Sequence, residues 1–183
     1  MRIVIQANDE DYIAFNKAVQ FKSDEGRKNV TKYMVLYALI IGVGVLVVLT
    51  NLLFYVLKGE GRLSDSVPFI VMAVYFTYAL TSFKRRFDKR IRKKVAEYSR
   101  QGNSLYDPEA TIDFTDEMIM EYTPKSTTRR EWTDIKSIIA DDEHFFLMLG
   151  PMKGFIVPFR CLGSEINTFM PYVQQKTGLG VIK

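Results

Sequence analysis

Few residues in this chain could carry chemistry, and they are scattered. His144 is the only histidine, at the border of a turn and a strand-like run, beside Asp142 and Glu143. A histidine so placed could act as a general base, but the sequence pairs no nucleophile with it, and a histidine at a strand end is more often structural. Cys161 is the only cysteine, and its neighbour Arg160 could lower a thiol pKa. A lone cysteine before an apolar helix start is more often a small packing residue. It forms no intrachain disulfide and no cysteine metal cluster. Asp141, Asp142 and Glu143 could attract a cation, yet they lack the glycine and ligand spacing of a calcium loop. No phosphate-binding glycine loop, zinc motif or serine elbow occurs. No catalytic, cofactor-binding or metal-ligating residue is assigned, and the chain is expected to be non-enzymatic.

The cations are more informative. The net charge of +4 is concentrated, with Lys84, Arg85, Arg86, Lys89, Arg90, Arg92, Lys93 and Lys94 crowded into 84–94. Among them Phe83, Phe87, Ile91, Val95 and Tyr98 recur at helical spacing, so an amphipathic helix ending near Gly102 is predicted. Its cations are read as a topology determinant in contact with anionic phospholipid headgroups. A solvated stalk is the plainer alternative. Nucleic acid is disfavoured, because the aromatics share one buried stripe and do not form a stacking platform. A smaller basic group, Lys125, Arg129 and Arg130, would either face headgroups or protect a solvated strand edge.

These features are positioned by two apolar runs. Tyr33–Leu57 is 25 residues without a charge and Ser66–Phe83 is 18. As helices they measure roughly 37 and 27 Å against a hydrocarbon core of about 30 Å. A transmembrane hairpin is predicted. A signal peptide does not fit, because the first run starts late, is too long and has no small-residue cleavage site behind it. Ser66 is expected to cap the second helix and Pro68 to occupy its first turn. Lys22, Arg27, Lys28 and Lys32 precede the first run and the 84–94 cations follow the second. The connecting turn holds Lys58 and Arg62 balanced by Glu60 and Asp65. The positive-inside rule therefore places both termini in the cytoplasm. Small residues, Ala38 and Gly42 on one run and Ala73, Thr77 and Thr81 on the other, are expected at the helix–helix contact, and the same faces admit a homodimer. Neither span contains an ionisable Asp, Glu, Lys, Arg or His, so the hairpin reads as an anchor and not as a transporter working alone.

Around the hairpin, Met1–Gln6 reads as an edge strand. Asn8 caps a short helix with Asp9, Glu10 and Asp11 in its first turn and Tyr12, Phe15 and Val19 on one face. That face is expected to pack on the protein, with the membrane surface as the alternative. Ser23–Asn29 reads as a polar linker. After Leu105 the pattern alternates: strand-like runs at Glu109–Phe114, Glu117–Tyr122, Thr127–Trp132, Ile135–Ala140, His144–Leu149 and Phe155–Pro158 predict an antiparallel meander. Trp132 is expected in the core or as a strand-end anchor. A final helix is predicted from Ser164, with Ile166, Phe169, Met170 and Val173 apolar, Gly178 at its end and a kink or break at Pro171.

The order Glu131-Trp132-Thr133-Asp134-Ile135, then Phe145-Phe146-Leu147, then Phe155-Ile156-Val157-Pro158, then a Ser164-Glu165 helix start resembles the YcxB-like bacterial membrane proteins. The resemblance covers most of the chain. It implies a pleckstrin-homology-like (PH-like) C-terminal domain and a bacterial inner membrane, and carries over no reaction and no catalytic residue. The predicted organisation is a membrane α+β protein. It comprises an N-terminal strand and helix (1–31), transmembrane helix 1 (32–57), an extracytoplasmic turn (58–65), transmembrane helix 2 (66–83), a basic exit helix (84–104) and a small antiparallel β domain closed by a helix (105–183). Its expected partners are the bilayer and a protein of unknown identity, and no cofactor is expected. The expected function is binding, scaffolding or regulation. The alternative is an accessory subunit of a larger membrane transporter or enzyme complex.

Overall fold

A computed structural model describes residues 1–58, 63–101 and 105–182. Of the predicted turn 58–65, residues 59–62 lie outside the described residues, as does Gly102, the predicted end of the exit helix. The chain divides into two compact units, one of Met1–Arg27 with Arg90–Lys183, the other of Lys28–Lys89. The first unit therefore extends beyond 105–183. The physical reason is the N-terminal strand β1 (Arg2–Gln6), which brings Ile3 and Ile5 into the core.

β1 is an edge strand, as its length and composition predict. It pairs antiparallel with β2 (Glu109–Phe114), which continues into β3 (Met118–Tyr122) and β4 (Thr127–Glu131). The later strands form a second sheet instead of extending the same meander. Its order is β7 (Lys153–Pro158), β6 (His144–Gly150), β5 (Ser137–Ala140), β8 (Val181–Ile182), and β8 runs parallel to β5. The predicted antiparallel domain is thus partly mixed. The switch between sheets falls where Trp132–Asp134 forms a 3-10 turn after β4 and separates it from β5. Trp132 is buried there and donates its indole N–H to the Thr115 carbonyl at 3.0 Å.

Ile112, Phe114 and Ile119 from the first sheet and Ile138, Leu147 and Val157 from the second share one core with Phe169 and Val173. The last two belong to α6 (Ile166–Thr177), so the C-terminal helix closes the core as its apolar face predicts. Two details differ from expectation. Ser164 lies in a 3-10 turn, Gly163–Glu165, and Glu165 holds the N-cap position. Of the kink or break predicted at Pro171, the break does not occur, since the proline stands inside a continuous helix. It is exposed, as is Asn167, whose carbonyl loses its partner, so water can satisfy that carbonyl. Gly178 ends the helix in the left-handed region, φ 68°.

α1 (Asp9–Phe21) has the predicted Asn8 cap. Asn8 Oδ1 accepts the Asp11 amide at 3.0 Å while Asp11 Oδ2 accepts the Asn8 amide at 2.7 Å, a reciprocal capping box. Phe15, Ala18 and Val19 pack on Ile139, Phe146 and Met148 of the second sheet, so this helix belongs to the domain. The predicted linker Ser23–Asn29 is largely helical, because α2 (Asp24–Lys58) begins inside it. Ser23 Oγ accepts the Gly26 amide at 3.1 Å and caps α2. A Cβ on Gly26 would lie 2.1 Å from the Val19 carbonyl oxygen, so the tight corner between α1 and α2 needs glycine.

Asp24–Leu57, which from Lys28 onward belongs to the second unit, is the one described helix long and apolar enough to cross a membrane, by length and composition. A 3-10 turn, Leu63–Ser66, leads into α3 (Val67–Thr81), with Pro68 in its first turn. Ser66 holds the N-cap position without a side-chain cap bond, and its hydroxyl accepts Asn51 Nδ2 at 3.4 Å. α3 is shorter than the predicted 66–83 run, since the chain bends by 58° between Ser64–Thr81 and α4 (Phe83–Arg100). The contact between α2 and α3 also differs from the predicted small-residue faces. A Cβ on Gly42 would meet nothing within 4 Å. Gly44 is the closer approach, since a Cβ added there would lie 3.7 Å from Met72 Cε and from the Phe69 carbonyl oxygen, and Tyr37 meets Phe76 with ring centroids 5.4 Å apart. Thr77 and Thr81 bond back to their own helix, at the carbonyls of Ala73 and Thr77.

Candidate functional site

The most developed polar arrangement centres on Asp11. Capping places this carboxylate at the start of α1, and its position four residues before Phe15 turns it to the buried side of the helix. It is 1% exposed. His144 opens β6 and is 4% exposed, with Nε2 2.9 Å from Asp11 Oδ1. Its ring stacks on Phe146 at 5.4 Å. Arg160, in α5 (Phe159–Leu162), directs its fork at both Asp11 oxygens, at 2.7 and 2.5 Å, and also donates to the Gln6 carbonyl at 2.7 Å. On the other side, His144 Nδ1 lies 2.9 Å from Asp141 Oδ1, which also accepts the amides of Glu143 and His144.

Burial pushes the Asp11 carboxyl up. The hydrogen bonds from Arg160, His144 and the Asn8 amide, with the Arg160 charge, outweigh it and hold the group below its ordinary range. The same bond to Asp11 raises the Arg160 guanidinium. A general base needs a free lone pair facing a substrate. Both ring nitrogens of His144 already face carboxylate oxygens, and both Asp11 oxygens are occupied. What this geometry does is fasten α1 to β6 and α5. Beside it lies a cleft of about 420 Å3, with Ile13, Ala18 and Phe21 on one side and Asp142 and His144 on the other. Lys22, at its edge, donates to the Ala140 carbonyl at 2.7 Å.

The residues singled out in the sequence separate into different settings. His144 stands at a strand start as expected, but its partner Asp11 lies 133 positions away and was legible only as a capping acid. Arg160 is directed at Asp11. Asp141 shapes its own turn, and among the described residues no group of three or more His, Cys, Asp or Glu is arranged to hold a metal.

The eight 84–94 cations all lie on α4. Arg86 bonds the Ala79 carbonyl, one of those left open where α3 ends, and Arg92 makes a two-pronged bond to Glu10 at 2.5 and 2.9 Å. Arg85, Lys89, Arg90, Lys93 and Lys94 are exposed, while Val95 of the apolar stripe is buried. Lys125 stands in the β3–β4 turn, 3.6 Å from Asp107. Arg129 and Arg130 are neighbours in β4 and therefore point to opposite faces of the sheet. Arg130 pairs with Ile119, a core residue, and lies on the inner face. The strand thus divides this small basic group.

Residues 114–170 match the model of the family described as YcxB-like protein, over the same strand-rich segment that carried the resemblance. Comparison with curated proteins and with solved structures finds no match.

Proposed function

We propose that this chain is a two-pass membrane protein in which α2 and α3 form a transmembrane hairpin. Both termini face the cytoplasm of a bacterial cell, and the β-rich unit is a PH-like, non-enzymatic module for binding, scaffolding or regulation. The observation that carries the reading is the outward surface of the two helices. Leu39, Leu46 and Leu53 repeat every seventh residue of α2 and are 57–64% exposed, and Val71, Val74 and Tyr78 of α3 are 62–65% exposed. Water would penalise so large an apolar surface, whereas lipid does not. The charge-free length of α2 exceeds the hydrocarbon core. The uncharged stretch Ser66–Phe83 around α3, at roughly 27 Å, comes close to it. The contacts Tyr37–Phe76 and Asn51–Ser66 support the pairing, as does Gly44, where an added Cβ would touch Met72.

Orientation rests on the cations at both cytoplasmic flanks. The exposed cations of α4 suit anionic headgroups, each contributing about 1 kcal/mol near a charged surface. Two sheets sharing a core closed by α6 support the PH-like reading, together with the family match over 114–170. The test is Gly61→Cys in a Cys161→Ser background. A membrane-impermeant maleimide should label it in intact cells, and labelling only after lysis would overturn the topology. An accessory subunit would bury the same helix faces against a polytopic protein. Stoichiometric copurification in mild detergent would favour that reading, and a particle of monomer or homodimer mass would oppose it.

A further inference from the structure

A second cluster of charge lies apart from Asp11 and His144. A cleft of about 210 Å3 is lined by Arg130, Asp134, Lys136, Leu149 and Lys153. Three pieces of chain build it: β4, the connector that follows, and the β6–β7 hairpin. Arg130 reaches it from the inner face of its sheet. Its Nε is buried and has no hydrogen-bond partner among the described residues. Lys136 donates to the Thr133 carbonyl at 3.0 Å, and Lys153 is exposed at the rim. Asp134, the carboxylate in the lining, already accepts the Glu131 amide at 3.1 Å. Glu121 feels both Arg130 and Lys153. Burial, and then the charge of Asp107, push it above its ordinary range. The hairpin wall is closely set: a Cβ on Gly154 would lie 2.6 Å from the Leu147 carbonyl oxygen, next to a register shift at Met148–Gly150.

We propose that this cleft binds a phosphate-class oxyanion, with the Arg130 fork taking two oxygens and Lys136 and Lys153 supplying charge at the rim. Three cations converging on one opening suit an anion with several charged oxygens, and a half-buried arginine suits their planar pairing. The phosphate comes either from a lipid headgroup or from a soluble phosphate compound. The inference does not rest on the membrane reading, because every residue in it belongs to the β-rich unit.

The experiment uses the full chain in a non-ionic detergent at low salt, titrated in separate arms with pyrophosphate and with a short-chain, water-soluble phosphatidic acid. Saturable binding in at least one arm is expected. Arg130→Gln and Lys153→Gln should weaken it about tenfold or more, and Lys125→Gln and Arg129→Gln by less than about twofold. Binding of pyrophosphate assigns a soluble source, and binding confined to the lipid arm assigns a headgroup. Lys153 is exposed, so its variant keeps the test open even if Arg130→Gln fails to fold. No saturable binding in either arm, or equal losses in all four variants, overturns the proposal.

Discussion

Asp11 and Leu46 invert the usual arrangement in opposite ways. Asp11 is a carboxylate with 1% of its surface exposed, and Leu46 is a leucine with 64% exposed. The β-rich unit can bury a charge because it supplies a guanidinium, an imidazole and a backbone amide to meet it. The helical unit can leave leucines outside because, in our reading, the medium around them is lipid. The comparison teaches that burial alone does not measure stabilisation. What counts is the environment a side chain would otherwise meet.

The largest effect should come from paired leucine truncations that set the two regions against each other. Leu147→Ala, in the core, should cost about 2–5 kcal/mol in chemical denaturation. Leu46→Ala should cost less than about 0.5 kcal/mol. A comparable loss at both positions would mean that Leu46 is covered. Next, Asp11→Ala should destabilise by about 3 kcal/mol or more, since it leaves Arg160 and His144 without their shared acceptor. A loss below about 1 kcal/mol would show that the network is not a strut.

The pH dependence sharpens the same point. The folded-state pKa of Asp11 lies below its unfolded value, so its contribution is present above that unfolded value, about 4, and is lost as pH falls through the folded one. Acid unfolding of Asp11→Asn should therefore have a shallower slope than wild type in that window. Equal slopes would remove Asp11 as a cause. A small effect is also expected at the exposed Arg92–Glu10 pair, where Arg92→Gln should change stability by less than about 1 kcal/mol.

The sequence made the element types legible where the local pattern dominates. The alternation of Glu109–Phe114 marks β2 with its observed bounds, and Asn8 with three following acids marks the start of α1. It failed where distant partners decide. Polarity and Gly26 suggested a linker, but the glycine is there for the contact with Val19 that closes a helical corner. Pro171 suggested a kink or break, but its exposed position lets the helix continue without a break. The allocation of six later strands to a meander missed that Val181–Ile182 returns to pair with β5. The Asp11–His144–Arg160 cluster was hidden for the same reason, since its members are far apart in sequence. The one local hint was an acid on the same helical face as Phe15.

The central claim is that the exposed face of α2 meets lipid. It is tested most directly by placing the sole tryptophan on that face, Leu46→Trp in a Trp132→Phe background, and reconstituting the protein in liposomes. Brominated acyl chains should quench its fluorescence strongly while aqueous iodide leaves it nearly unchanged. Efficient iodide quenching with no response to brominated lipid would contradict the account.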